Sequence, residues 1–467
     1  MTNCGSGTAT VNVTLYDTPP TGVSLLSFSL PIVGISLTPS TGSDVSIYSP
    51  TTVVPIELTR LQTDSTSIVS QASVAAGNYT AVKITVAASS GVFINTSGST
   101  ITWSTGSCAA NGAVCDLPNG AATTITVPLT VTLSNNVTQW IGLNVNLNNA
   151  IVTTGGIGVD FSQANVFTAT TTVRTGLASG VVDTIEDFTG SVTAATSSSI
   201  TVKSSITGQS ITAAIGSTTE LDAAPQAYSG CSQPTSSAVC IATGSIVSLD
   251  ASLSNTGKYT ATEIDVLDVA TADEVEGVIY PTTAAGVVGL ILADKTSASS
   301  NAILGASTTT YGTGIFLNIA SANIDGVDPK TLTPILTNPV LGFTGSSDLV
   351  AGQVVRAQVS NITSDSAGIH ATATNIILRF SRISGAVNTI ASPTFTLTGI
   401  PNYINSFNPG MTLTPPAFTS PSVTIFDGVT GITDSKFVVG GPVAIRALFL
   451  NPSLAQYPFL AAKVRVP

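Results

Sequence analysis

Apolar residues recur at every second position over short stretches, with turn-forming residues between the stretches. Thr10-Val11-Asn12-Val13-Thr14-Leu15 alternates strictly and sets Val11, Val13 and Leu15 on one face of a strand. Asp17-Thr18-Pro19-Pro20 ends that strand, because paired prolines cannot continue a hydrogen-bonded ladder. The same pattern predicts strands at Ile56-Glu57-Leu58, over 74–79, 82–86, 124–133 and 141–147. Strands and turns in this rhythm over residues 7–172 predict a β-sandwich.

Past residue 180 the pattern repeats. Gly190-Ser191-Val192, Gly277-Val278-Ile279 and Gly385-Ala386-Val387 each open a unit. Each unit closes on a glycine-led strand, at Gly244-Ser245-Ile246-Val247, Gly352-Gln353-Val354-Val355 and Gly441-Pro442-Val443. An alanine-containing strand follows, starting at Tyr259, His370 and Leu460 respectively. The units read as 180–270, 274–380 with a long insertion around 297–339, and 383–467. Five or six alternating strands per unit suit closure into a small barrel, which removes exposed sheet edges. The expected fold class is therefore all-β: an N-terminal β-sandwich followed by three small β-barrel-like domains in tandem.

Two resemblances follow from these motifs. Asp17 and Pro19 at the end of the opening strand, Leu58-Thr59-Arg60-Leu61, and Ala76-Gly77-Asn78-Tyr79 make the first third of the chain similar to domain-of-unknown-function family 4382. That family occurs near the N-terminus of bacterial lipoproteins, and the resemblance brings no activity with it. The glycine-led opening and closing strands of the later units resemble domain-of-unknown-function family 5666, small β-domains found in tandem in bacterial exported proteins. Together they imply an exported, lipoprotein-type protein.

Composition narrows the function. The chain has 467 residues, room for about three or four domains. Charged residues are 8% of it, and Ser, Thr, Gly, Ala and Asn stand where Lys and Glu normally would. The net charge is −11 with 14 basic residues, and no Lys/Arg stripe is present to neutralise phosphates, so no nucleic-acid partner is expected. The longest strongly apolar run, 284–293, is far short of the roughly 20 residues a spanning helix needs.

Cys108 and Cys115 flank one short loop, and Cys231 and Cys240 flank another. Each pair is spaced for a hairpin disulfide, which implies an oxidising compartment; the alternative is two pairs of free thiols. Cys4, followed by Gly5-Ser6-Gly7, is the candidate lipidation site of a chain whose secretory segment is missing from this sequence; the alternative is a stray thiol.

Catalytic constellations are scarce. The single histidine, His370, matches Tyr259 of the preceding unit and so reads as a surface or packing residue. A serine triad lacks its base, and no nucleophile elbow, phosphate loop or dinucleotide fingerprint occurs. Glu186-Asp187 and Asp265 with Asp268 read as solvated turn residues rather than a glycosidase pair. Asp250, Asp265, Asp268, Asp273 and Glu274 gather near the first junction, but no Asp-x-Asp-x-Asp loop is present. Neither an enzyme nor a metal or cofactor is expected. Trp140 shares a strand face with Asn144 and Asn146, a candidate stacking platform for a sugar, or else a cover for the sheet end.

The expected function is a non-catalytic, cell-surface structural or adhesive protein. It would lie outside the cell, touch the membrane only through a lipid anchor, and self-assemble by strand donation. The alternative is a glycan- or ligand-binding surface module carried by the N-terminal domain. Its partners would be other surface proteins, glycans or further copies of itself.

Overall fold

A computed structural model describes residues 7–466 except 21, 52, 54, 111, 205–208, 224–240, 269–272, 281, 283, 298–300, 307, 328–342, 402, 405–415, 422–423 and 452–457. The chain is all-β, an N-terminal sandwich followed by three small barrels. The first fifteen strands are β1 (Thr8–Thr18), β2 (Ser24–Pro39), β3 (Val45–Tyr48), β4 (Pro55–Glu57), β5 (Thr66–Ala75), β6 (Gly77–Val86), β7 (Ser90–Ile94), β8 (Ile101–Trp103), β9 (Gly106–Cys108), β10 (Val114–Leu117), β11 (Thr123–Leu133), β12 (Thr138–Asn146), β13 (Ile151–Val152), β14 (Gly158–Val159) and β15 (Phe167–Thr170). Two sheets, β15-β12-β1-β5 and β10-β7-β2-β6-β11, enclose one core. The strict alternation of β1 is what buries Val11, Val13 and Leu15 against Phe28, Leu30 and Ile84. Leu58–Leu61, between β4 and β5, is a single 3-10 turn that buries Leu58 and Leu61.

The remaining strands form three rings of one design. They are β16 (Val181–Ala195), β17 (Ser199–Ser204), β18 (Ser210–Ala214), β19 (Glu220–Ala223), β20 (Ile246–Ser254) and β21 (Tyr259–Asp268); then β22 (Asp273–Tyr280), β23 (Val287–Ser297), β24 (Gly314–Asn318), β25 (Asn323–Val327), β26 (Val354–Asp365) and β27 (Gly368–Arg379); then β28 (Ser381–Ala391), β29 (Thr394–Thr398), β30 (Ala417–Thr419), β31 (Ile425–Asp427), β32 (Pro442–Phe449) and β33 (Phe459–Arg465). In the first ring β18-β17-β16-β20-β21 closes through a parallel β18–β21 pair, and β19 continues along the same edge of β21 past β18. The other two repeat this order strand for strand. One meander, one parallel closing pair and two antiparallel returns make the five-stranded barrel of the OB-fold.

The repeated glycines have a common steric cause. A Cβ on Gly190 would stand 2.0 Å from the carbonyl oxygen of Lys203, one on Gly277 2.0 Å from that of Ile291, and one on Gly385 2.7 Å from that of Thr398. In each barrel the first strand crosses the second too closely at this point for any side chain, and the strand coils there to close the ring. On the outer faces, cross-strand threonine pairs hold places usually given to charges: Thr85 with Thr124, Thr201 with Thr212, Thr389 with Thr396.

Both terminal strands lie inside their sheets. β1 sits between β12 and β5, and β33 is paired by β32, β30 and β31. Strand donation from either end therefore requires a strand to leave a place filled on both sides.

The match of His370 with Tyr259 is off by one residue. Pairing across the rings makes Val247, Val355 and Val443 equivalent, since each opposes its motif glycine. Counting along the ladders then sets Tyr259 against Ala371. A one-residue slip reverses the face: Tyr259 points into its barrel, while His370 points out.

Candidate functional site

The four units meet in a charged junction rather than hanging as beads. All the arginines of the chain are drawn into it: Arg60, Arg174, Arg356, Arg379, Arg382, Arg446 and Arg465. The hub is the segment from Glu57 to Ser65 of the N-terminal domain. Its Arg60 pairs with Glu276 of the second barrel at 3.0 Å and donates to Thr189 of the first at 3.1 Å. Its Asp64, wholly buried, accepts from Nε and Nη2 of Arg382 in the third barrel at 3.0 and 2.8 Å. The Asp64 carbonyl accepts from Arg465, and Ser65 donates to Asp183 and bridges Ile185 of β16.

The linker between sandwich and barrels is held the same way. Arg174 donates to Asp427 of the third barrel at 2.8 Å and to Asp183 of the first at 2.5 Å. Burial alone would raise the Asp427 carboxyl, but Arg465 and Arg174 beside it bring its pKa down to about 2. Within the second barrel, Arg356 binds Glu274, Glu276 and Asp294. This arrangement keeps Asp427 ionised away from water and fixes the orientation of the modules it joins, because a guanidinium accepts little angular error from its partner.

The first and third barrels meet through positions that are equivalent in the repeat. Asp250 and Glu263 oppose each other in the first barrel, Gln358 and Asn375 in the second, Arg446 and Lys463 in the third. One position thus runs acidic, neutral, basic. Across the interface Arg446 stands 3.0 Å from Glu186 and 3.6 Å from Asp250, and Lys463 stands 2.9 Å from Glu186. Glu186 is therefore a buried ion-pair partner, not a solvated turn residue as the sequence suggested. Asp265 and Asp250 are likewise strand residues flanking this interface. No group of three or more His, Cys, Asp or Glu side chains gathers as a metal site among the described residues.

Of the two readings of Trp140, burial is in keeping with a cover and not with a platform. Its ring is 5% exposed and packs into the core of the first barrel with Val182, Ile185 and Leu249. Its Nε1 donates to Thr14 at 2.9 Å. The first barrel covers this face of β12 at Trp140, so the ring is not presented as a stacking platform. Asn144 accepts from Thr18, and Asn146 accepts from the backbone of Asn149 to cap the short helix α1 (Leu147–Ala150). Asn144 thus ties β12 to β1, and Asn146 serves the local backbone.

Cys108 and Cys115 form a disulfide with Cα atoms 5.8 Å apart. Under it, the Asn95 amide donates to the carbonyls of Ser99, Cys108 and Ala109. Beside this loop a cleft of about 320 Å³ opens between Phe93, Ile94, Ser97, Thr102 and Gly156. Cys4, Cys231 and Cys240 lie outside the described residues. Asp17 is buried, and burial pushes its carboxyl well above the usual range, with the nearby Glu57 adding to the effect. Tyr79 packs in the sandwich core and donates to the Ala75 carbonyl at 2.9 Å.

Residues 8–160 match the family described as "Domain of unknown function (DUF4382)", about a third of the chain. No curated protein matches. Among solved structures, one described as "drosophila Unr CSD456" is similar at 11% identity over 60% of this chain and 96% of that chain, with a TM-score of 0.13.

Proposed function

We propose that the chain is a non-catalytic structural or adhesive protein of the bacterial cell surface, anchored by lipid on Cys4 and built as one rigid block. Its three barrels are, on this reading, tandem members of domain-of-unknown-function family 5666. The observation that carries the proposal is the inward commitment of every arginine to buried ion pairs, those of Arg60, Arg174, Arg382 and Arg446 joining one module to another. Such a design spends the chain's strongest recognition cations on shape, and leaves a sparsely charged, threonine-rich exterior suited to display. The Cys108–Cys115 disulfide supports an oxidising location, and the family match at the N-terminal domain is in keeping with it. Its partners are other surface proteins, glycans or further copies of the chain.

Protease shaving of intact cells, with mass spectrometry of the released peptides, tests the location. Labelling with an alkyne fatty acid, in the native chain and in Cys4→Ser, tests the anchor. Peptides from 7–466 released by shaving and label lost in Cys4→Ser are the expected results. A chain protected in intact cells, or cell attachment unchanged after deletion of residues 173–467, would overturn the proposal.

A further inference from the structure

One row of side chains on the second barrel starts at the edge of the junction and runs away from it toward solvent. Register pairs Tyr280 of β22 with Gly289 of β23, Gly289 with Phe316 of β24, and Phe316 with His370 of β27. Four adjacent strands thus bring tyrosine, glycine, phenylalanine and histidine into one line. Their neighbours Ile279, Leu290, Ile315 and Ala371 fill the barrel core, so this line faces outward.

The row is built as a platform. The Tyr280 ring covers Gly289, where a Cβ would stand 2.2 Å from the ring, and its hydroxyl reaches Gly314. Phe316 stacks on His370 with ring centroids 5.1 Å apart and planes 22° apart. At Gly368, with φ +142°, a Cβ would press within 3.2 Å of the Phe316 ring. The row begins half-buried at the junction, where Tyr280 packs beside Leu26, Val92 and Ile94. It ends at His370, whose side chain is 40% exposed and whose Nε2 lies 3.1 Å from the exposed Asp365 carboxylate. Asn318 and Thr363 are exposed beside it. The first and third barrels carry Thr201, Thr212 and Thr396 on the outer faces of the corresponding strands, so the aromatic line belongs to the second barrel alone.

The geometry points to a binding site for a neutral oligosaccharide along Tyr280, Phe316 and His370, which deepens the adhesive reading and takes its location outside the cell from it. Strands about 4.8 Å apart give the row a length of about 14 Å, enough for a short run of sugar rings. Aromatic faces take the apolar C–H faces of a pyranose, while Asp365, His370 and Asn318 offer hydrogen bonds to its hydroxyls. Charge selects against the other ligands that stack on aromatics. A nucleic-acid strand needs cations along its backbone, yet the charged neighbour here is Asp365, and Lys295 of β23 is turned onto the carbonyls of Leu304, Ala306 and Thr309. Anionic sugars meet the same carboxylate and a net charge of −11.

Isothermal titration of the full chain with cello-, chito-, malto-, xylo- and manno-oligosaccharides, and with a thymidine oligonucleotide, tests this. At least one neutral oligosaccharide is expected to bind. Phe316→Ala is expected to weaken it tenfold or more, His370→Ala less, and Phe316→Trp to keep it, with thermal midpoints unchanged. No sugar bound, affinity indifferent to Phe316→Ala, or binding of the oligonucleotide instead would overturn the site. Sugar binding lost in Phe316→Ala by a chain that shaving finds inside the cell would sink the surface location and leave the site standing.

Discussion

Asp250 and Arg446 occupy the same position in two copies of one repeat, and they lie 3.6 Å apart across the interface between those copies. A repeat that pairs with its own copy brings equivalent positions together near the symmetry axis, where identical charges would repel. Opposite charges at this position remove the repulsion and forbid either barrel from pairing with its own kind. The neutral Gln358 of the second barrel, hydrogen-bonded to Asn375 at 2.7 Å, is excluded from that role.

Charge reversal tests the pairing. Arg446→Asp sets three carboxylates together at Glu186, Asp250 and position 446, and is expected to cost more than about 3 kcal/mol. Asp250→Arg added to it restores an opposite pair and is expected to return roughly 1 kcal/mol or more. Denaturant midpoints of the four members of the cycle measure this, and strictly additive losses would refute the coupling.

The hub gives a second prediction. Asp64→Asn keeps the shape of the side chain but removes the charge that buried Arg382 faces at 2.8 Å, at a cost of about 3–5 kcal/mol. The third barrel is expected to loosen first, so limited proteolysis should cut near residue 380 in the variant and not in the native chain. Cleavage patterns that match would show that Asp64 does not hold that barrel.

Asp427 makes the assembly sensitive to acid. Its folded pKa, about 2, lies below the unfolded carboxylate value near 3.9. The stability it contributes, roughly 2 kcal/mol, is complete above pH 4 and is lost as the pH falls through 4 toward 2. Asp427→Asn should lower the thermal midpoint at pH 6 and bring the two proteins together near pH 2. A constant gap across that range would mean that Arg465 and Arg174 do not act through this charge.

Asp17 should behave in the opposite sense. Burial raises its folded pKa above the unfolded value, so it costs nothing in acid and its cost grows as the pH rises past about 4. Asp17→Asn is expected to unfold at a higher temperature than the native chain at pH 7, with the difference shrinking at pH 4. A less stable variant at pH 7 would show that the ionised carboxylate is the form the fold requires.

Strands and barrels were legible because their signals are local. The alternation of Val11, Val13 and Leu15, and the glycines at 190, 277 and 385, each answer to a neighbour a few residues or one hairpin away. The junction was not legible for the opposite reason. Asp64 meets Arg382 across 318 residues, and nothing near either position marks the other. The sequence left Trp140 between platform and cover because strand alternation separates two faces without saying what lies over the second. His370 falls one residue out of register with Tyr259 because β27 starts three residues earlier than β21 does, at Gly368, so the strand starts are not equivalent positions. The aromatic row needed that register, since its members come from four separate strands.

The interior place of β1 has a mechanical meaning. It runs parallel to β12 through unbroken register from Thr10 with Thr138 to Thr18 with Asn146, and antiparallel to β5 on its other side. Tension applied at Thr8 is directed along the strand axis, so the rungs on both flanks share the load in shear instead of peeling one after another. A pull at that end meets the resistance of the whole first ladder, and it reaches the barrels only through an intact sandwich.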